Sequence, residues 1–162
     1  MRTNYSYQMP RGVAGSLYDL APHAIVSRIN EETEAGRMQY GMGAMQGTSP
    51  GATVVIPGQA PQVREFEGIV MTGFTTEMDM DGETVIRHQK TVGVLRYGNA
   101  WARIPGGVEP SYGQNVFLIT NGTNAGLFTN VATGNMAINA RFIGGRGTGN
   151  VAPVELYNQK NE

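Results

Sequence analysis

Glu77, Asp79 and Asp81, followed by Gly82, put carboxylates at the first, third and fifth positions of a calcium-loop pattern and a glycine at the sixth. Calcium ligation of that kind needs a bidentate glutamate at the twelfth position, where His88 stands instead. Neither flank has helical periodicity, so the run reads as the acidic, solvated tip of a hairpin. Glu65 and Glu67 fall on one face of a predicted strand, where two carboxylates could serve as the acid and base of a glycosidase. A solvent-facing stripe explains them more simply.

Nucleophilic and metal chemistry find less support. The two histidines, His23 and His88, belong to no HExxH or comparable pattern. The chain has no cysteine, which removes a thiolate metal site, a cysteine nucleophile and any disulfide. Gly41-x-Gly43-x-x-x-Gly47 and the glycine-rich 144–149 segment lack the strand-then-helix frame that aims amides at a phosphate, and read as turns. No catalytic constellation, metal site or cofactor site emerges, and the sequence predicts a protein that is not an enzyme.

Arg96, Tyr97, Trp101 and Arg103 could stack nucleic-acid bases. Against that, Trp101 and Arg103 alternate with Ala100, Ala102 and Ile104, which gives one strand a large face and a small one, as a core or a subunit interface requires. Twelve basic against thirteen acidic residues leave a formal charge of −1, so no field attracts nucleic acid or an anionic membrane. The uncharged stretches 38–63 and 110–140 are broken by Gly, Asn, Thr, Gln and Pro, too often for a membrane span. The first residues contain no apolar core of a secretory signal, and synthesis in a host cytoplasm is expected.

These residues must be positioned by a turn-rich chain. Of 162 residues, 23 are glycine and 8 proline, and only 15% are charged. The reading is an extended, irregular N-terminal arm over 1–22 and a single β-rich body over 23–162. Segment 23–36 stays open between a short helix and a strand through 24–30. Strands are predicted at 53–56, 64–72 (with Gly68 marking a bulge or close backbone approach), 74–80 and 83–89 about Asp81-Gly82. Further strands follow at 91–97 and 100–104 about a Gly98-Asn99 turn, then 115–120, 127–131, 136–143 and 151–157. Short strands with closely spaced turns imply an all-β fold, a small antiparallel sandwich or barrel. The arm's Tyr5, Tyr7, Met9, Leu17 and Tyr18 follow no period and must bury against something else.

From about Ile25 to Tyr157 the order of features resembles the structural cement (head decoration) proteins of tailed bacteriophages. The resemblance rests on the acidic 27–34 segment before Tyr40-Gly41-Met42-Gly43, the Phe66-Glu67-Gly68-Ile69-Val70 strand, and Val92-Gly93-Val94-Leu95 with Trp101-Ala102-Arg103-Ile104. Val116-Phe117-Leu118 with Gly126-Leu127-Phe128-Thr129, then Ala140-Arg141-Phe142-Ile143 and Val154-Glu155-Leu156, complete it. It implies a small β domain, a homotrimer on the capsid exterior of the virion that bridges copies of the major capsid protein and carries no catalytic residues or cofactor. Tyr5, Tyr7, Met9, Leu17 and Tyr18 are then the expected anchors on the shell or on a neighbouring protomer. Two other readings are a carbohydrate-binding or adhesion module that stacks sugars on Tyr97, Trp101 and Tyr112, and a tail-associated ring protein.

Overall fold

The computed structural model describes residues 12–58, 65–73, 80 and 84–159. Nine strands follow in order: β1 (Ala24–Asn30), β2 (Gly43–Gln46), β3 (Thr53–Val55), β4 (Phe66–Met71), β5 (Thr91–Arg103), β6 (Asn115–Leu118), β7 (Phe128–Thr129), β8 (Met136–Phe142) and β9 (Val151–Leu156). No helix occurs among the described residues, and none is therefore long and apolar enough to cross a membrane. Segment 23–36 resolves as a strand: β-branched Ile25, Val26 and Ile29 suit a pleated surface, and β1 is held by β3 and β5.

The strand order is β1-β3-β2-β4-β5-β9-β8-β6-β7, and β1 pairs back onto β5. The first five strands therefore close into a barrel, while β5, β9, β8, β6 and β7 form a second sheet. Only β1–β3 is parallel. Met38, Met42, Ala44, Val54, Val70, Val92 and Val94 form one buried cluster, the barrel's filling. A second cluster joins Met45, Phe66, Ile69, Met71 and Leu95 to Ala100, Ala102, Leu118, Phe128, Phe142, Val154 and Leu156, and holds the second sheet against the barrel wall. All six β4 residues are buried because the strand contributes to both clusters, Val70 to one and Ile69 and Met71 to the other. Phe66 and Phe128 meet edge to face across this seam at 6.3 Å.

Several sequence expectations change. Gly98-Asn99 is not a hairpin turn: β5 runs through it for 13 residues. Residues 91–97 are paired by β1 and β4, and 98–103 by β9. Gly98 has φ of 131°, and a Cβ there would lie 2.5 Å from the Cβ of His23, so the glycine lets one strand pass from barrel to sheet. The 41–47 glycine cluster is not all turn, since Gly43 opens β2. A Cβ on Gly43 would lie 2.5 Å from Leu118 Cδ1, and the bare backbone is what lets the second sheet approach. Gly68 sits beside the register shift between β2 and β4, its α-carbon against the Leu95 carbonyl, as expected. Residues 84–89 form no named strand; most of the Asp81-Gly82 hairpin and of the Glu77–Gly82 motif lies outside the described residues. Pro153 is accommodated inside β9 because its nitrogen side faces Ile143, just beyond the end of β8, where its carbonyl accepts from Ile143 N–H at 3.0 Å.

Glu67 does not face solvent. It is 5% exposed and bonded to Arg28 at 2.7 Å, with Arg96 at 3.7 Å. The Gly68 irregularity turns it inward, while Glu65 stays exposed near Gln46. The two carboxylates therefore occupy different environments, and the glycosidase arrangement does not form.

Two outcomes follow. Gly98→Ala is expected to destabilise the fold by about 2–3 kcal/mol, through a strained φ and a clash with His23 just before β1, read as a lowered urea midpoint with unchanged slope. Glu67→Ala, which leaves Arg28 uncompensated, is expected to cost about 3–5 kcal/mol in the same titration, whereas Glu65→Ala shifts it by no more than ~0.5 kcal/mol.

Candidate functional site: the arm-covered face of the second sheet

Past Gly98, β5 parts from β1 and exposes backbone groups on that flank. The described part of the arm takes them. Gly15 N–H donates to the Trp101 carbonyl at 2.8 Å, Trp101 N–H to Ser16 at 2.9 Å, and Tyr18 N–H to Asn99 at 2.9 Å, with Leu17 bridged to Ala100. The arm thus behaves locally as a short extra strand, which blunts an edge. Leu17 packs into the inter-sheet core. Tyr18 stays 45% exposed and tilts against Trp101, ring centroids 5.4 Å apart. Gly12 lies over the same indole. Tyr5, Tyr7 and Met9 lie outside the described residues.

Between the arm and β1 the chain makes a short excursion. Asp19 Oδ1 accepts from Ala21 N–H at 3.0 Å, and the Asn99 amide donates to both Asp19 oxygens at 3.2 and 3.0 Å. His23 Nδ1 donates to the Ala21 carbonyl at 3.0 Å. Leu20, tied at both ends, projects 93% exposed. It escaped the sequence reading; Asp19 two residues before Ala21-Pro22 is an Asx-turn signature that would have marked the loop.

Across the outer face, Asn99 lies opposite Glu155 and Glu155 opposite Arg141. Arg141 Nε donates to Glu155 at 2.7 Å and its guanidinium lies 5.5 Å from the Tyr112 ring centre. The Glu155 hydrogen bond holds the Arg141 pKa above its ordinary value, and partial burial followed by the bond to Glu155 raises that of the Tyr157 phenol. Both shifts favour a neutral Tyr157 beside a charged Arg141. Trp101 is met by Tyr18 and Tyr112 by Arg141, so two of the three aromatics considered for sugar stacking already have partners within the chain.

Among the described residues the two histidines are not brought together. His88 donates from Nδ1 to the Glu32 carbonyl at 3.2 Å, a local contact unrelated to that of His23. A cleft of about 410 Å³ has an apolar floor of Met42, Ile56 and Leu127 with Glu34 and Arg37 on its rim, and it includes neither histidine. Among the described residues no group of three or more His, Asp or Glu side chains is placed to hold a metal ion. The glycine-rich 144–149 segment lies in bends and turns with no helix behind it. What the face offers is aromatic, amide and apolar contact.

Comparison with known proteins gives this architecture a context. The model of the structural cement protein family (E217 gp24/Pam3 gp6) matches residues 1–157. A chain from the capsid of Myoviridae phage XM1 shares the fold, with a TM-score of 0.73 at 21% identity over 99% of this chain and 100% of that one. No curated protein matches the chain. With nearly its whole length matched, and a β architecture shared with a phage capsid chain, this chain belongs to the structural cement protein family of bacteriophages.

Proposed function

We propose that this protein decorates the outside of an icosahedral phage head as a homotrimer and stabilises the shell by bridging neighbouring copies of the major capsid protein. The observation that carries the reading is the family match over residues 1–157. The physics of the chain supports it. A clamp works by adding interface, and a trimer engages several shell subunits at once, so release requires every contact to open together. A closed three-fold ring leaves no open end and fits a three-fold docking position. With 15% charged residues, broad contact strips water from few ionised groups. The work is mechanical, and no reaction, nucleic acid, membrane or cofactor enters it.

In this reading the part of the arm that precedes its β5-bound root lies across the shell or a neighbouring protomer. Tyr5, Tyr7 and Met9 supply the outward anchors, while Leu17 and Tyr18 fasten the root of the arm to its own β5.

Purified protein is expected to scatter light as a trimer, to pellet with expanded, undecorated heads and to raise their melting temperature; a monomer that stays in the supernatant refutes the reading. Deletion of residues 1–11 leaves the β5 edge covered, so the body folds. Its affinity for heads is expected to fall on the order of tenfold or more, and unchanged occupancy removes the arm from the interface.

A further inference from the structure

Asn121-Gly122 is the chain's one Asn-Gly pair, and it sits in the turn-rich link between β6 and β7. The link is closed by Gly126 N–H on the Ile119 carbonyl at 2.8 Å and by Ile119 N–H on the Leu127 carbonyl at 2.9 Å. Asn and Gly suit such a turn, in which Gly122 takes a φ of 77°. The same pair is chemically labile. The main-chain nitrogen that follows an asparagine can attack its side-chain amide, and a glycine there, with no Cβ, leaves that nitrogen unshielded.

The fold leaves this reaction open at Asn121. Both residues of the pair are exposed. Neither the Asn121 side chain nor the Gly122 N–H makes a hydrogen bond among the described residues. A Cβ on Gly122 would find nothing within 4 Å, so no neighbour crowds the attack. Other asparagines are restrained. Asn30 is buried, and the amides of Asn99, Asn130, Asn135 and Asn139 donate hydrogen bonds. Asn124 lies exposed in the same link, but the nitrogen after it belongs to buried Ala125 and donates to the Gly122 carbonyl at 3.3 Å.

We propose that Asn121 is a site of spontaneous deamidation, at which the exposed, unbonded Asn121-Gly122 pair passes through a cyclic imide to aspartate and isoaspartate. The Gly122 nitrogen gives up its proton to solvent base and bonds to Asn121 Cγ. The Cγ–Nδ2 bond breaks, and the side-chain nitrogen takes a proton from water and leaves as ammonia. Water then adds to one of the two imide carbonyls. Opening at Cγ gives aspartate, and opening at the main-chain carbon gives isoaspartate, in which the chain runs through Cγ. The net reaction consumes one water, releases one ammonia and needs neither oxidant nor enzyme. Each event puts an ionised carboxylate in place of a neutral amide. The new charge stands next to Gly122 and Thr123, which line the cleft that also has Glu34 and Arg37 at its rim.

The test follows folded, full-length protein in mildly alkaline buffer by peptide mass spectrometry, with fragment ions locating each converted residue. Asn121 is expected to gain the amide-to-acid mass several-fold faster than Asn124, with isoaspartate among the products. Its rate is expected to stay within several-fold of that in the same chain unfolded in urea, because the fold does not shield the pair. Asn121→Gln, whose longer side chain must close a six-membered ring, is expected to release ammonia several-fold more slowly than the wild type. Conversion at Asn121 no faster than at Asn124 overturns the proposal. So does a folded protein in which Asn121 is protected by orders of magnitude relative to the unfolded chain, or an Asn121→Gln protein that releases ammonia as fast as the wild type.

Discussion

Strand β5 must satisfy two sheets with one backbone. Its first half completes a five-stranded barrel between β1 and β4, and its second half carries β9 and, through it, the whole outer sheet. An extended strand twists steadily, and at the handover its neighbours change on both sides, so the chain there needs a conformation that a side chain would obstruct. Gly98 supplies it. The rest of the arrangement follows from that passage. The two hydrophobic clusters share β2, β4 and β5 as their common wall, with successive side chains divided between barrel filling and inter-sheet seam. The small residues Gly43, Ala100 and Ala102 let the two layers close.

The same passage creates the edge that the arm has to cover. Where β1 leaves β5, residues 15–18 take its place with main-chain hydrogen bonds, and Leu17 reaches into the seam. The described root of the arm is thus bonded to the folded body.

For a structural protein the informative surface is the one whose apolar side chains have no reason of their own to be exposed. Val13, Tyr18, Leu20, Ile25 and Ile29 all fall within 17 residues along the arm and β1, although the chain has a core large enough to take such groups. For Ile25 and Ile29 the exposure arises from alternation. On a barrel wall every second residue points outward, and the chain here places large apolar groups at those positions instead of charges. With few ionised groups nearby, contact there costs little desolvation.

Much was legible in the residues alone. Period-two patterning and glycine-bounded apolar runs located β3, β4, β6, β7, β8 and β9 to within a few residues, because a strand's alternation and its turn residues are local properties. The ordered series of short motifs also carried the family resemblance. Pairing was not legible. Gly98-Asn99 carries a turn's chemistry, and only the partners waiting on both sides, β1 and β4 before it and β9 after it, keep the strand running straight. Gly41 to Gly47 looks like loop until Leu118 and Phe128 are seen to press on Gly43. Glu67 passes for a solvent residue until the irregularity at Gly68 turns it toward Arg28. In each case one residue's neighbours along the chain admit two conformations, and the choice between them is made by contacts with residues remote in sequence, whose energies no local pattern records.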